Sequence, residues 1–224
     1  MNRSPDSGAR GVISSRLRNV VTIARELRRE ERGVAAVEFA LIVPFLVALY
    51  FGSIEAAALF TVDKRLSSIS STVGDLVAQW DPSDGAITTG TTGTLADYMN
   101  ASTGIMTPYP TTGLKIVISL VKVKNDGNTV VLWSKANAAG TVKTAGQPYA
   151  DLATNKAPQM NSVSRGGCVI ASEVTYTYLP LIGQVFTTNV NMKHVTFFLP
   201  RFGSSEPLDL DTVNLADNAC TSQT

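Results

Sequence analysis

The chain reads as an α+β protein in which one long N-terminal helix that crosses a membrane packs its second part on a small antiparallel sheet. Three observations predict this. A mostly apolar run extends from Val34 to Phe60 with only Glu38 and Glu55 as charges; a stripe of apolar residues at helical spacing follows it; and the last half of the chain holds four β-branched or aromatic runs separated by turn residues. With 224 residues, the part beyond the apolar run is long enough for one domain with a modest core.

The organisation follows the charge. Residues 1–33 carry eight Arg against Asp6, Glu26, Glu30 and Glu31, whereas residues 34–224 carry 11 basic against 14 acidic side chains. Arg16, Arg18, Arg25, Arg28, Arg29 and Arg32 all precede the apolar run closely, which by the positive-inside rule keeps residues 1–33 as a cytoplasmic arm and puts the C-terminal part across the membrane. An Arg-rich arm also suits nucleic acid, but this one abuts an apolar segment and lacks aromatic residues for base stacking, so no nucleic-acid partner is expected.

Residues 34–60 form the predicted span. No charge occurs from Phe39 to Ile54, and Glu38 and Glu55 are separated along a helix by about 26 Å, close to the ~30 Å of a bilayer core, so both carboxylates fall near its boundaries. An ionised side chain inside hydrocarbon costs roughly 2.5–3.5 kcal/mol on insertion scales, which marks Glu38 as functional. Pro44 removes one helical hydrogen bond and predicts a kink or a locally melted turn near Ala40. A secretory signal peptide competes for this segment, with Ala56-Ala57-Ala58 as small residues for a peptidase; the run is too long for that, and Glu55 crowds the cleavage site.

Residues 61–80 continue the helix as an amphipathic extension. Val62, Leu66, Ile69, Val73, Leu76 and Trp80 recur at steps of four and three, opposite Lys64, Ser67, Ser68, Ser71 and Asp75, so a single helix from Val34 to Trp80 is expected. Residues 81–224 make the β-rich part. Asp81–Gly113 is rich in Thr, Gly, Ser and Pro and reads as a surface excursion with one short helical turn at Leu95–Asn100. Strands are expected at Leu114–Lys124 and Thr129–Lys135, joined by the hairpin signal Asn125-Asp126-Gly127-Asn128, and at Cys168–Tyr178 and Asn191–Leu199. Alternation of Val174, Tyr176 and Tyr178 with Glu173, Thr175 and Thr177 predicts a sheet with one covered face. Phe197, Phe198 and Phe202 are expected in the core.

Cys168 and Cys220 are the only cysteines, and an extracytoplasmic location permits a disulfide between them. The catalytic inventory is sparse: His194 is the only histidine, no phosphate-cradling glycine loop is present, and a Cys168–His194 pair is less expected than a strand histidine beside a disulfide cysteine. Asp209 and Asp211 are read as solvated carboxylates and not as a calcium site. Neither an enzyme, a cofactor, a metal nor a small-molecule substrate is expected.

Glu31-Arg32-Gly33, then Ala36-Val37-Glu38-Phe39-Ala40-Leu41, then Pro44, Gly52 and Glu55 together resemble the TadE/TadG-like family of tight-adherence (Flp, type IVb-like) pilus assembly proteins. Val174-Thr175-Tyr176-Thr177-Tyr178 followed by Pro180-Leu181 is similar to a strand that members carry near their end. The resemblance implies a pilin-like fold and a pseudopilin: a basic leader cut by a prepilin peptidase between Gly33 and Val34, with Glu38 as the fifth mature residue and an assembly residue, alongside Pro44 and Glu55. The implied partners are other pilins and pseudopilins, platform proteins of pilus assembly, the peptidase and membrane lipid. The alternative is an uncleaved, membrane-anchored periplasmic accessory domain that never enters a fibre.

Overall fold

The computed structural model describes residues 31–90, 92–180, 188–202, 208–213, 215 and 220. Most of the basic arm and the segment that follows Pro180 lie outside them. The chain divides into two compact units, residues 1–54 and residues 55–224. One helix, α1 (Glu31–Ala78), contributes to both.

In the first unit α1 is apolar on every side. Val34, Val37, Phe39, Leu41, Ile42, Phe45, Leu46 and Leu49 are all exposed, and a helix apolar all round requires a non-aqueous surrounding. Gly33–Ala78 is the one stretch among the described residues long and apolar enough to cross a membrane. The helix runs through Pro44 without interruption, so the melted turn expected near Ala40 does not occur. Proline removes a single hydrogen bond, and the flanking turns of this long apolar helix remain intact.

In the second unit α1 buries Val62, Leu66, Ile69, Val73 and Val77 completely. Val77 and not Leu76 is buried on this turn; Leu76 is half-buried. Each such side chain contributes about 1.5–3 kcal/mol. At Gly74 a Cβ would come within 2.6 Å of the Phe198 ring and 3.0 Å of Ser172 Cβ, so the absence of a side chain lets α1 approach the sheet closely. The Ser70 hydroxyl donates to the Ser172 carbonyl at 2.7 Å and meets the Thr196 hydroxyl at 2.8 Å. The helix ends because Pro82 cannot continue it and disfavours helical dihedrals at Asp81, whose carboxylate accepts the Ser83 N–H instead.

The sheet holds β1 (Lys115–Val123), β2 (Thr129–Ala136), β3 (Cys168–Tyr178) and β4 (Val190–Phe198) in the order β2-β1-β3-β4, every neighbouring pair antiparallel. The β1–β2 turn forms as Asp-Gly predicts: Gly127 has φ +87° and the Asp126 carboxylate accepts the Asn128 N–H at 2.9 Å. The helix-facing side of the sheet carries Ile116, Ile118, Leu120, Ile170, Val174 and Tyr176 in the first core.

Two expectations are corrected. Residues 81–113 are no mere surface excursion: α2 (Thr94–Thr103) and its neighbours bury Ile87, Leu95, Met99 and Met106 in the first core. The sheet is also covered on both faces. Val121, Val123, Val131, Val169 and Ala171 form a second core with Tyr149 and Leu152, and Met160 of α3 (Pro158–Val163) packs against it. Glu173 is consequently buried, and it is satisfied by Lys143 Nζ at 3.1 Å, Lys193 Nζ at 3.4 Å and the Tyr149 hydroxyl at 3.4 Å. Burial pushes the Asp151 carboxyl up, but hydrogen bonds from Lys193 and Lys156 and their charges outweigh it and hold the group below its ordinary value. Phe197 and Phe198 pack against the two cores, whereas Phe202 is exposed.

Cys168 and Cys220 are joined by a disulfide, with Cα atoms 5.1 Å apart across a sequence separation of 52. A loop of that length predicts a contribution of about 4 kcal/mol in the chain-entropy model. Thermal unfolding with and without reductant checks this: the midpoint should fall by many degrees on reduction and equally in the Cys168→Ser/Cys220→Ser variant, and an unchanged midpoint would contradict it.

Candidate assembly site

In the first unit, the residues singled out from sequence lie on one exposed helical stretch. Gly33, Val34, Glu38 and Pro44 all belong to α1 and all are exposed. Val34 and Glu38 are four residues apart and so share a helix face, about 6 Å apart along the axis. Among the described residues nothing pairs with Glu38. A carboxylate on an otherwise apolar surface can do one thing well: accept a cation or a strong hydrogen-bond donor from outside.

A feature missed in the sequence runs along the same helix. Ala36, Ala40, Pro44, Ala48, Gly52 and Ala56 recur at every fourth position, from one end of the apolar stretch to the other. Small residues in an i±4 row let a second helix approach closely, at a right-handed crossing near −40°. The spacing was available in the sequence, but attention to large apolar residues hides it.

In the second unit, Glu55 is 0 % exposed and neither of its carboxyl oxygens has a hydrogen-bond partner. The Tyr178 hydroxyl is likewise buried and unpartnered. Burial raises the pKa of that hydroxyl, and Glu55, Tyr109 and Tyr176 raise it further. Glu55 is therefore enclosed by its own domain in this state and offers no surface to a neighbouring helix. Nearby, Arg65 clamps the chain before β1 onto α1: its guanidinium donates to the carbonyls of Ile105 and Thr107 and lies over the Tyr109 ring at 5.7 Å.

The residues weighed for chemistry are otherwise engaged. His194 Nε2 sits 2.7 Å from Asp63 Oδ1, tying β4 to α1. Cys168 is taken by its disulfide. The Asp211 carboxylate accepts the N–H and hydroxyl of Thr89, which lower its pKa, and Asp209 accepts the Leu215 N–H at 3.0 Å. Among the described residues no group of three or more His, Cys, Asp or Glu side chains gathers.

Residues 33–73, from Gly33 through the first part of the amphipathic extension, match the family model for TadE-like protein. That stretch of the chain, about a fifth of its length, is similar to TadE-like protein. The matched segment contains Gly33, Val34, Glu38, Pro44, Glu55 and the small-residue row, and it stops before the sheet begins. Comparison with curated proteins and with solved structures gives no match.

The state of Glu55 is open to direct measurement. A buried polar group without a partner costs about 1–3 kcal/mol, so Glu55→Met should melt at a higher temperature than the parent in detergent. A lower midpoint would mean that the carboxyl has a stabilising partner.

Proposed function

We propose that this protein is a minor pseudopilin of a tight-adherence pilus, anchored in the bacterial inner membrane by the first part of α1 with residues 1–33 cytoplasmic and the second unit periplasmic. In this reading a prepilin peptidase cuts between Gly33 and Val34, and the new amino group of one subunit meets Glu38 of another at the same depth. Two poorly solvated charges that pair offset part of each other's burial penalty and fix the axial register of neighbouring helices. The small-residue row supplies the close contact that brings such helices together. The role is structural and non-catalytic, with other pilins, pseudopilins and assembly-platform proteins as partners.

One observation carries this reading. A helix exposed and apolar on all sides bears a lone carboxylate one turn beyond the glycine junction, inside the segment that matches the TadE-like family. Such a surface is stable only against lipid or like helices, and its carboxylate gains only from a partner's cation.

Glu38→Ala tests it in the native host. Removing one member of a buried ion pair costs about 3–5 kcal/mol, so pili sheared from the cells should fall by more than about tenfold while the protein's abundance in membranes stays level. Undiminished piliation would favour the uncleaved accessory domain, which needs no charge at that position.

A further inference from the structure

The second unit begins at Glu55, and its elements show which residues share that end of the sheet. Along α1, Asp63 meets His194, which pairs with Val174; Ser70 meets Ser172; and the Ala78 carbonyl accepts the Arg201 N–H. β3 therefore runs antiparallel to this part of α1, with Cys168 at the far end and Tyr178 at the end where the chain enters from its apolar stretch. Tyr178 lies near Glu55, Tyr109 and Tyr176, and the Tyr176 hydroxyl donates to the Pro110 carbonyl at 3.1 Å. Three of the six tyrosines of the chain thus gather at one end of the sheet. The same end exposes Phe60 (65 %), Leu179 (62 %), Pro108 and Pro110, and Lys115 at the start of β1 is exposed beside them.

We propose that this end of the second unit, with the exposed Phe60, Pro108, Pro110 and Leu179 and the half-buried Tyr109, is seated in the interfacial layer of the bilayer, giving the protein a second lipid contact beyond the span. The inference rests on α1 crossing a membrane and extends that reading to the domain. Its occupant is lipid for three reasons. The second unit has an exposed large apolar side chain of its own on α1, Phe60, about one and a half turns from where the unit begins. Phe60 lies about 7.5 Å beyond Glu55 along the helix axis, matching the roughly 5–7 Å of headgroup layer on each side of the hydrocarbon. The half-buried Tyr109, the exposed Phe60 and Leu179, and the exposed Lys115 are residue types that settle at this depth.

Glu55 fits the same arrangement. A carboxyl at the hydrocarbon boundary is costly if it faces lipid, and Glu55 is fully buried, with Tyr178 at the end of β3 near it.

The test uses the full chain reconstituted in phosphatidylethanolamine/phosphatidylglycerol vesicles, with nitroxide labels placed singly at Leu41→Cys, Phe60→Cys, Leu179→Cys and Val163→Cys. Leu41 (75 % exposed) reports the span; Val163 (73 % exposed) lies by the hairpin end of the sheet, where Gly166 bonds Val123, and reports water. Collision with oxygen against a water-soluble nickel chelate gives depth. The expected result is an oxygen-to-nickel ratio at Leu179 and Phe60 several-fold above that at Val163 and below that at Leu41. A Leu179 ratio equal to that of Val163, with Leu41 in lipid, would overturn the interfacial contact alone. A Leu179 label hidden from both reagents would overturn it in favour of a protein neighbour. A water-exposed Leu41 would overturn the span and this contact together.

Discussion

The packing of Val62, Leu66, Ile69, Val73 and Val77 against Ile116, Ile118, Leu120, Ile170 and Val174 is the interaction on which the rest of the second unit depends. It commits one face of α1 to the sheet, and Gly74 permits the approach. The same helix enters the other unit without any such partner, and there its apolar side chains are exposed on every side. One continuous helix thus carries two different demands on its surroundings. Satisfying the second demand requires lipid or other helices, and the small-residue row and Glu38 are the features that such surroundings would read.

Much of this was legible in the sequence because it depends on local periodicity. β3 was expected at Cys168–Tyr178 and occupies those residues; β1, β2 and β4 differ by a residue at their ends, because β-branched runs and the Asp126-Gly127 turn define them locally. The strand order was not legible, since nothing in the composition of β3 says that it pairs with β1. The second covered face was missed for a related reason. Glu173 looks solvent-facing in an alternating strand, and its burial is made possible by Lys143, Tyr149 and Lys193, residues brought to it only by the fold. In residues 81–113, four buried apolar side chains were outvoted by the Thr and Gly around them.

The candidate site divides the same way. Glu38 declares itself as a charge in an apolar run, and its exposure on the helix agrees with a group awaiting an external partner. Glu55 looks equivalent in the sequence but is enclosed beside Tyr178, a residue far along the chain. Two carboxylates that bracket the same stretch thereby have different surroundings: one open to a neighbour, the other sealed by its own domain. The distinction matters because only the open one is available to a group outside the chain.

The most direct test of the central claim is the intact mass and N-terminal sequence of the protein recovered from native membranes, with and without the host's prepilin peptidase. The pseudopilin account predicts a chain starting at Val34 only when the peptidase is present. A chain that retains residues 1–33 in both strains would contradict it, because Glu38 would then have no neighbouring amino terminus to meet.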